Sequence, residues 1–282
     1  MKVNLAKSAG FCFGVKRALK IALDTTRSRK KIVMLGDIVH NEDVARQINK
    51  MGIKKIKKLS CGKGKTLLIR AHGAGTKIFD KAKRSGYNII DATCPMVKEI
   101  HKIAKAMELK GYRIIIIGDK NHDEVLGIIG QLKDKAILID KPREISAKKF
   151  KKLKKACIIV QSTQNMEMAL RIVGVLKKYV KNLKFFNTIC LPTRIKQEEI
   201  RKMPKENDAM VIIGSKTSAN TRRLYEISKS LNKRTYWIES EKEINSDWFK
   251  NVKSVGVTAG ASTPDYTTQK AIRFLNQIGR DS

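Results

Sequence analysis

The stretch PMVKEIHKIAKAMELKGYRIIIIGDKNHDE, residues 95–124, determines the fold class of this chain. Its first half repeats apolar residues at the spacing of an amphipathic helix, and its second half contains the unbroken apolar run RIIIIG at 113–118. Such a run is typical of a strand that is buried on both faces of a parallel sheet. His122 and Glu124 follow directly. The stretch therefore predicts a helix, a buried strand and a ligand-binding loop in succession.

The same alternation of apolar runs and amphipathic stretches extends along the whole chain. Nine further apolar runs predict strands at 31–36, 66–71, 88–91, 136–140, 157–161, 184–189, 209–214, 234–239 and 254–258. Helical patterns lie between them, for example from Val15 and from Asn165. We therefore predict the α/β class with mostly parallel sheets.

The charge of the chain is strongly positive. Its 282 residues include 60 basic and 26 acidic side chains, which gives a net charge of +34. The lysines are spread along the chain without interleaved Trp and Phe stacking platforms, so we do not expect a nucleic-acid partner. Two alternative explanations of the positive charge remain: attraction of anionic partners, and drift in amino-acid composition. No apolar run approaches the roughly 20 residues of a membrane span, and no signal peptide is visible, so we expect a cytoplasmic protein without membrane contact.

Three of the five cysteines stand out by position. Cys94 and Cys190 lie where the chain changes direction, and Cys12 lies between glycines just before a helical pattern. Cys157, in contrast, lies inside an apolar run, and Cys61 lies in a turn. The spacings of 82 and 96 residues suggest three similar lobes. We place them at 1–94, 95–192 and 193–282 and expect them to form one integrated unit, since each is small for an independent domain.

Ligand-type residues follow eight of the ten predicted strands, at the edge where parallel sheets bind ligands. They are His40, His72, Cys94, His122 with Glu124, Ser162, Cys190, Ser218 with Asn220, and Ser262. Two of these segments, GSKTSANTRRL and GASTPDYTTQ, precede helical patterns, where free N–H groups attract anions; ordinary helix capping is the alternative. His101 lies within a helical pattern and is interpreted as structural.

These residues leave the metal chemistry open. Three thiolates could bind zinc or form a redox relay. They could also hold an iron–sulfur cubane with one iron open to substrate, since the usual cluster has four Cys ligands.

Seven motifs occur here in a specific order: GFCFGVKRA, DIVHN, RAHG, DATCP, HDEVLG, SKTSAN and VTAGASTP. In this order they resemble the 4-hydroxy-3-methylbut-2-enyl diphosphate reductase family, the last enzymes of the non-mevalonate isoprenoid pathway. The resemblance extends over nearly the entire chain, from Cys12 to about Pro264.

The resemblance implies a trefoil of three α/β lobes around a central [4Fe–4S] cluster, one per chain. It implies that Cys12, Cys94 and Cys190 ligate the cluster and that Glu124 donates a proton. It assigns substrate binding, mainly of the diphosphate, to a set of histidine, hydroxyl and amide side chains: His40, His72, His122, Ser162, Ser218, Asn220 and Ser262.

The implied reaction is a reductive dehydroxylation. The substrate hydroxyl meets the open iron, two electrons arrive one at a time, and isopentenyl and dimethylallyl diphosphate result. Asp123 stands where the family usually has proline, which predicts a looser loop with added negative charge near Glu124. Ser162 stands where the family usually has threonine, and Ala219 stands where the family often has serine. We expect an acidic electron donor of the ferredoxin or flavodoxin type, because complementary charge speeds docking.

Two other functions are considered. A metal- or redox-sensing nucleic-acid-binding protein would explain the charge and the cysteines, but would leave Glu124 and the histidines without a role. A zinc hydrolase of phosphate esters would require a colourless zinc protein.

Overall fold

The computed structural model describes residues 1–28 and 31–281. The described strands are β1 Lys2–Leu5, β2 Ile32–Leu35, β3 Lys54–Ile56, β4 Thr66–Ile69, β5 Asn88–Asp91, β6 Arg113–Ile117, β7 Ile137–Ile139, β8 Lys155–Val160, β9 Asn182–Phe185, β10 Ala209–Ile213, β11 Thr235–Ile238 and β12 Ser254–Ala259. The α-helices are α1 Phe13–Ser28, α2 Glu42–Lys50, α3 Thr76–Arg84, α4 Pro95–Leu109, α5 Asp123–Ile129, α6 Ala147–Phe150, α7 Met166–Leu176, α8 Leu191–Glu206, α9 Ala219–Leu231 and α10 Asp265–Asp281.

The strands form three four-stranded sheets, in the orders β1-β12-β10-β11, β3-β2-β4-β5 and β7-β6-β8-β9. Every described ladder in them is parallel. The prediction of an α/β protein with three parallel-sheet lobes is confirmed. The lobe boundaries at residues 94 and 192 stay a prediction.

The chain divides into two compact units. The first comprises Met1–Lys16, His40–Ala45 and Leu191–Ser282, and the second comprises Arg17–Val39 and Arg46–Cys190. The first contains the sheet β1-β12-β10-β11, and the second contains the other two sheets.

In the first unit, alternate residues of β10 pack on opposite faces of the sheet. Val211 and Ile213 lie in a core with Leu275 of α10, whereas Met210 and Ile212 pack in a second core with helices α8 and α9. Because both faces are covered by helices, every residue of this strand is buried, which explains its unbroken apolar sequence.

In the second unit, β6 has the same two-sided burial. Ile115 and Ile117 face a core that includes residues of α7, and Ile114 and Ile116 face a core that includes residues of α4. This is the strand whose apolar run RIIIIG predicted burial on both faces.

None of the described helices combines the length and the apolar character needed to cross a membrane.

Candidate active site

Each of the three singled-out cysteines directly precedes a helix. Cys12 precedes α1, Cys94 precedes α4 with Pro95 as its first residue, and Cys190 precedes α8. All three are cysteines of intermediate exposure. The amino end of a helix attracts negative charge, so all three positions suit a cysteine that ligates a metal.

Each of these cysteines is also tied by its backbone to a loop that contains another predicted site residue. The bonds run from Cys12 N–H to Ala261 C=O (3.1 Å), from Cys94 N–H to Ala71 C=O (2.9 Å) and from Cys190 N–H to Ser162 C=O (3.1 Å). Ala261 and Ala71 precede Ser262 and His72. Backbone hydrogen bonding beyond the strand ends therefore fixes each cysteine beside a predicted substrate-binding segment of its own unit.

The other two cysteines lie in different surroundings. Cys157 is fully buried in β8, and burial raises the pKa of its thiol to about 12. Cys61 is an exposed loop thiol. A buried, protonated thiol is a poor metal ligand, so the structure separates Cys157 from the three cysteines at helix ends.

Glu124 is the buried carboxyl group of the second unit. It is 2% exposed, and both of its oxygens accept hydrogen bonds from Ser162, from the backbone N–H to Oε1 and from Oγ to Oε2, each at 2.6 Å. Burial raises the pKa of Glu124 above the ordinary value, and the charge of Asp119 adds to this, although the two bonds from Ser162 oppose it. The carboxyl group is therefore suited to hold and deliver a proton.

His122 and His72 lie beside each other in the second unit. His122 caps the amino end of α5, where its Nδ1 accepts a hydrogen bond from the Glu124 N–H at 3.2 Å. In the neutral ring the proton then lies on Nε2, which is a donor. The ring of His72 meets that of His122 edge to face, with 5.4 Å between the centroids. The pair can thus present donors to an anionic or hydroxylated ligand.

The loop that holds His72 requires a glycine. Gly73 has a φ of 75°, in the left-handed region, and a Cβ there would lie 2.9 Å from Cε1 of His101. A side chain at this position would strain the backbone and collide with the buried histidine. His101 is therefore the packing partner of the His72 loop, in agreement with its structural interpretation.

In the first unit, Ser218, Asn220, Ser262 and His40 are linked by hydrogen bonds or shared loops. Ser218 caps the amino end of α9, and Ser262 Oγ lies 3.5 Å from Ser218 Oγ and donates to the His40 carbonyl at 3.1 Å. Asn220 Oδ1 accepts a bond from the Ala261 N–H at 2.9 Å. Its Nδ2 is buried without a hydrogen-bond partner in the described structure. A helix terminus with hydroxyls and a spare amide donor is suited to an anion.

The prediction that Asp123 loosens this loop is wrong. The Asp123 carboxylate accepts a hydrogen bond from Arg70 at 2.6 Å, and the two side chains are only 23% and 19% exposed. This ion pair fastens the start of α5 to the end of β4. Arg70 lies 53 residues away in sequence, so a local interpretation of the motif did not reveal it.

No motif in the sequence pointed to Lys196, yet its side chain is a buried cation of the first unit. It is 2% exposed and lies in α8, in the stretch LPTRIKQEE after Cys190. A lysine in a helix that is rich in charged residues gives no sign of burial. The only available signal was the helical periodicity, which places Lys196 four residues before the buried Ile200.

Comparison with known proteins identifies the family. The sequence profile of the LytB protein family matches residues 3–276. A 4-hydroxy-3-methylbut-2-enyl diphosphate reductase from Aquifex aeolicus is 39% identical over 280 residues, which are 98% of this chain and 96% of the relative. A protein of the same name from Thermoanaerobacter is 41% identical over 283 residues, with 98% of both chains covered.

Solved structures agree with the sequence relatives. The structure of a reductase of this name, described as the terminal enzyme of the non-mevalonate pathway, matches with a TM-score of 0.72 at 38% identity and covers 98% of this chain and all of that one. An E-1-hydroxy-2-methyl-but-2-enyl-4-diphosphate reductase from Plasmodium falciparum gives a TM-score of 0.91 at 28% identity, with 98% of this chain and 88% of that one covered.

Fold and comparisons together define the class of protein: an α/β oxidoreductase with three parallel sheets. The chain belongs to the LytB protein family. Reductases of this family are iron–sulfur enzymes, which agrees with the three thiols at helix ends.

Proposed function

We propose that this chain reduces (E)-4-hydroxy-3-methylbut-2-enyl diphosphate to isopentenyl and dimethylallyl diphosphate. The observation that carries the proposal is Glu124, a buried carboxyl group with a raised pKa that is bonded to Ser162. The Ser162 carbonyl in turn accepts the N–H of Cys190. A proton donor is thereby connected, within one unit, to a proposed cluster ligand.

The proposed reaction replaces a carbon-bound hydroxyl group by hydrogen. Two electrons and two protons enter, the C–O bond breaks, water leaves, and one of two allylic carbons receives the second proton. Glu124 gives the first proton to the leaving hydroxyl oxygen, because a neutral carboxylic acid can protonate this leaving group, whereas a carboxylate cannot. The bonds from Ser162 hold the carboxyl group in a fixed orientation.

The diphosphate is assigned to the hydroxyl and amide groups of the first unit and to the histidines. Asn220 Nδ2, the amino end of α9 and the hydroxyls of Ser218 and Ser262 are neutral donors for phosphate oxygens. His40, His72 and His122 add imidazole donors, and Ala219 contributes only its backbone N–H.

The residues of this chain fit a [4Fe–4S] cluster held by Cys12, Cys94 and Cys190. The fit rests on the donor chemistry: these three cysteines are of intermediate exposure and lie at the amino ends of helices, whereas burial raises the pKa of the Cys157 thiol to about 12. When bound, such a cluster supplies the electrons of the reduction one at a time. Three protein ligands would leave one iron of such a cluster available to the substrate.

The electron donor is proposed to be an acidic carrier protein of the ferredoxin or flavodoxin type. The net charge of +34 supports this, because complementary charge steers two proteins together. We also infer a cytoplasmic setting, where such carriers and free thiols coexist.

Cysteine substitutions test the ligand assignment. Cys12→Ser, Cys94→Ser and Cys190→Ser should each lose bound iron and activity after anaerobic reconstitution. Cys61→Ser and Cys157→Ala serve as controls and should keep both. An iron content that depends on Cys157 but not on Cys12 would show that the ligand assignment is wrong.

A further inference from the structure

Lys196 is a charged side chain in a place where charge is costly. It is 2% exposed, and its Nζ donates to the backbone carbonyls of Ser8 and of Ala259, the latter at 3.0 Å. Carbonyl groups replace lost water, but they do not neutralise an ammonium ion. A buried cation is stable only beside negative charge, so its anionic neighbours indicate its role.

The two carbonyls belong to the backbone segments that hold Cys12. Ser8 lies between β1 and α1, four residues before Cys12. Ala259 ends β12, two residues before Ala261, whose carbonyl accepts the Cys12 N–H at 3.1 Å. The ammonium group therefore joins the segment that contains Cys12 to the segment that anchors it.

Three acidic groups act on Lys196: Cys12, Glu199 and Asp265. Each raises the pKa of Lys196, but burial outweighs them and lowers it to about 8. Glu199 also accepts two hydrogen bonds from Ser8, from its N–H at 3.1 Å and from its hydroxyl. Asp265 lies in the first turn of α10, where the helix dipole stabilises it. Glu199 and Asp265 thus have further stabilising partners, whereas none is described for Cys12.

We propose that Lys196 is the counter-ion of the Cys12 thiolate and that its positive charge raises the reduction potential of the cluster that Cys12 holds. The inference rests on the proposed function, since it needs the cluster. Reduction adds negative charge, and a fixed cation in a poorly solvated site stabilises the reduced state more than the oxidised one. Lys196 is therefore a positioning residue that makes the first electron easier to accept.

The test compares reconstituted wild-type protein with Lys196→Met, Lys196→Arg and a control, Lys202→Met. Lys202 is an exposed lysine of the same helix, so its removal takes away equal charge without the buried contact. Iron content and the midpoint potential of the cluster are measured by redox titration. We expect a more negative potential in Lys196→Met, and a potential near that of the wild type in Lys196→Arg and Lys202→Met.

Each outcome of this test either supports or overturns the inference about Lys196. A Lys196→Met protein with full iron and an unchanged potential overturns the inference and leaves the proposed function intact. Loss of iron in Lys196→Met but not in Lys196→Arg supports it, whereas equal loss in both overturns it, because shape rather than charge then matters. Wild-type protein that takes up no iron overturns the proposed function, and this inference with it.

Discussion

The chemistry of Glu124 follows from its immediate surroundings rather than from its residue type. An exposed glutamate is ionised at neutral pH, but burial of Glu124 disfavours the charged form and raises its pKa. Ser162 limits this effect by donating to both oxygens. The result is a carboxyl group that keeps its proton to a higher pH than an exposed glutamate does, and a leaving hydroxyl group requires such a donor.

Replacing Glu124 by glutamine tests this role at the residue scale. Glu124→Gln keeps the size of the side chain but has no acidic proton, so turnover should fall by about 10²- to 10⁴-fold. Iron content should not change. Steady-state kinetics and iron analysis measure both, with the exposed Glu206→Gln as the control.

The pH profile gives an independent check on the same residue. Because the acid must be protonated, wild-type kcat should decline as the pH rises through the raised pKa of Glu124. Near-normal turnover in Glu124→Gln would remove this residue as the proton donor.

At the scale of single elements, strands buried on both faces were predictable, whereas two short edge strands, β1 and β3, were not. β10 and β6 match their predicted runs because every core-facing position is apolar. β1 and β3 were missed because they are short edge strands, with sequences KVNL and KKI, that are mostly exposed or half-buried. Their pairing partners, rather than their own residues, make them strands.

The position of the edge strand β9 was predicted only in part. Its predicted position, 184–189, is shifted from the observed Asn182–Phe185. Burial alternates along it, and the apolar Phe186 and Ile189 that follow pack against the cores without belonging to the strand.

The ion pair between Arg70 and Asp123 connects the first residue of helix α5 to the residue after β4. Asp123→Ala removes a largely buried charge-assisted hydrogen bond and should lower the free energy of unfolding by about 1–2 kcal/mol. Asp123→Pro should recover part of this loss. Proline suits the first position of a helix, and the preceding His122 already has the extended backbone (φ −76°, ψ 135°) that proline requires.

Thermal and denaturant unfolding of the two Asp123 variants would measure this effect. Arg70→Met should cost about as much as Asp123→Ala, and the double variant little more than either, because both changes break one interaction. Fully additive losses would contradict the account.

Helix α4 contains a histidine that should make the fold sensitive to acid. Burial lowers the pKa of His101 to about 4, and Nε2 has no hydrogen-bond partner in the described structure. The folded state therefore binds its proton less readily than the unfolded state, whose pKa is about 6.5. The stabilising contribution is complete above pH 6.5 and is lost as the pH falls towards 4, by up to about 3 kcal/mol.

Melting temperatures between pH 7.5 and 4.5 test this prediction. Wild-type protein should lose more stability across the range than His101→Gln, which keeps a similar size but does not titrate. Parallel curves for the two proteins would mean that His101 does not contribute to the pH dependence.

At the scale of the whole molecule, the sequence suggested candidate site residues but not the contacts among them. We proposed the histidines, Glu124, Cys94 and Cys190 because they follow predicted strands, and Cys12 because it lies between glycines before a helical pattern. The bond between Glu124 and Ser162 joins residues 38 apart, and that between Lys196 and Ala259 joins residues 63 apart. Such contacts arise only when the sheets are assembled, so no local pattern in the sequence encodes them.

The net charge of +34 leads to a prediction about electron transfer. The second-order rate of reduction by an acidic carrier protein should fall about tenfold as ionic strength rises from about 0.01 M to about 0.15 M, because the Debye length shrinks from about 30 Å to about 8 Å. Stopped-flow reduction measures the rate, with a small uncharged reductant as the control. A rate insensitive to salt would count against charge-steered docking.

The most direct test of the central claim is product analysis after anaerobic reconstitution with iron and sulfide. The protein is supplied with (E)-4-hydroxy-3-methylbut-2-enyl diphosphate and a chemical reductant, and the products and metal content are measured. The account predicts brown protein with about four irons per chain that forms isopentenyl and dimethylallyl diphosphate. Colourless protein that binds zinc instead, or brown protein that leaves the substrate unchanged, would contradict it.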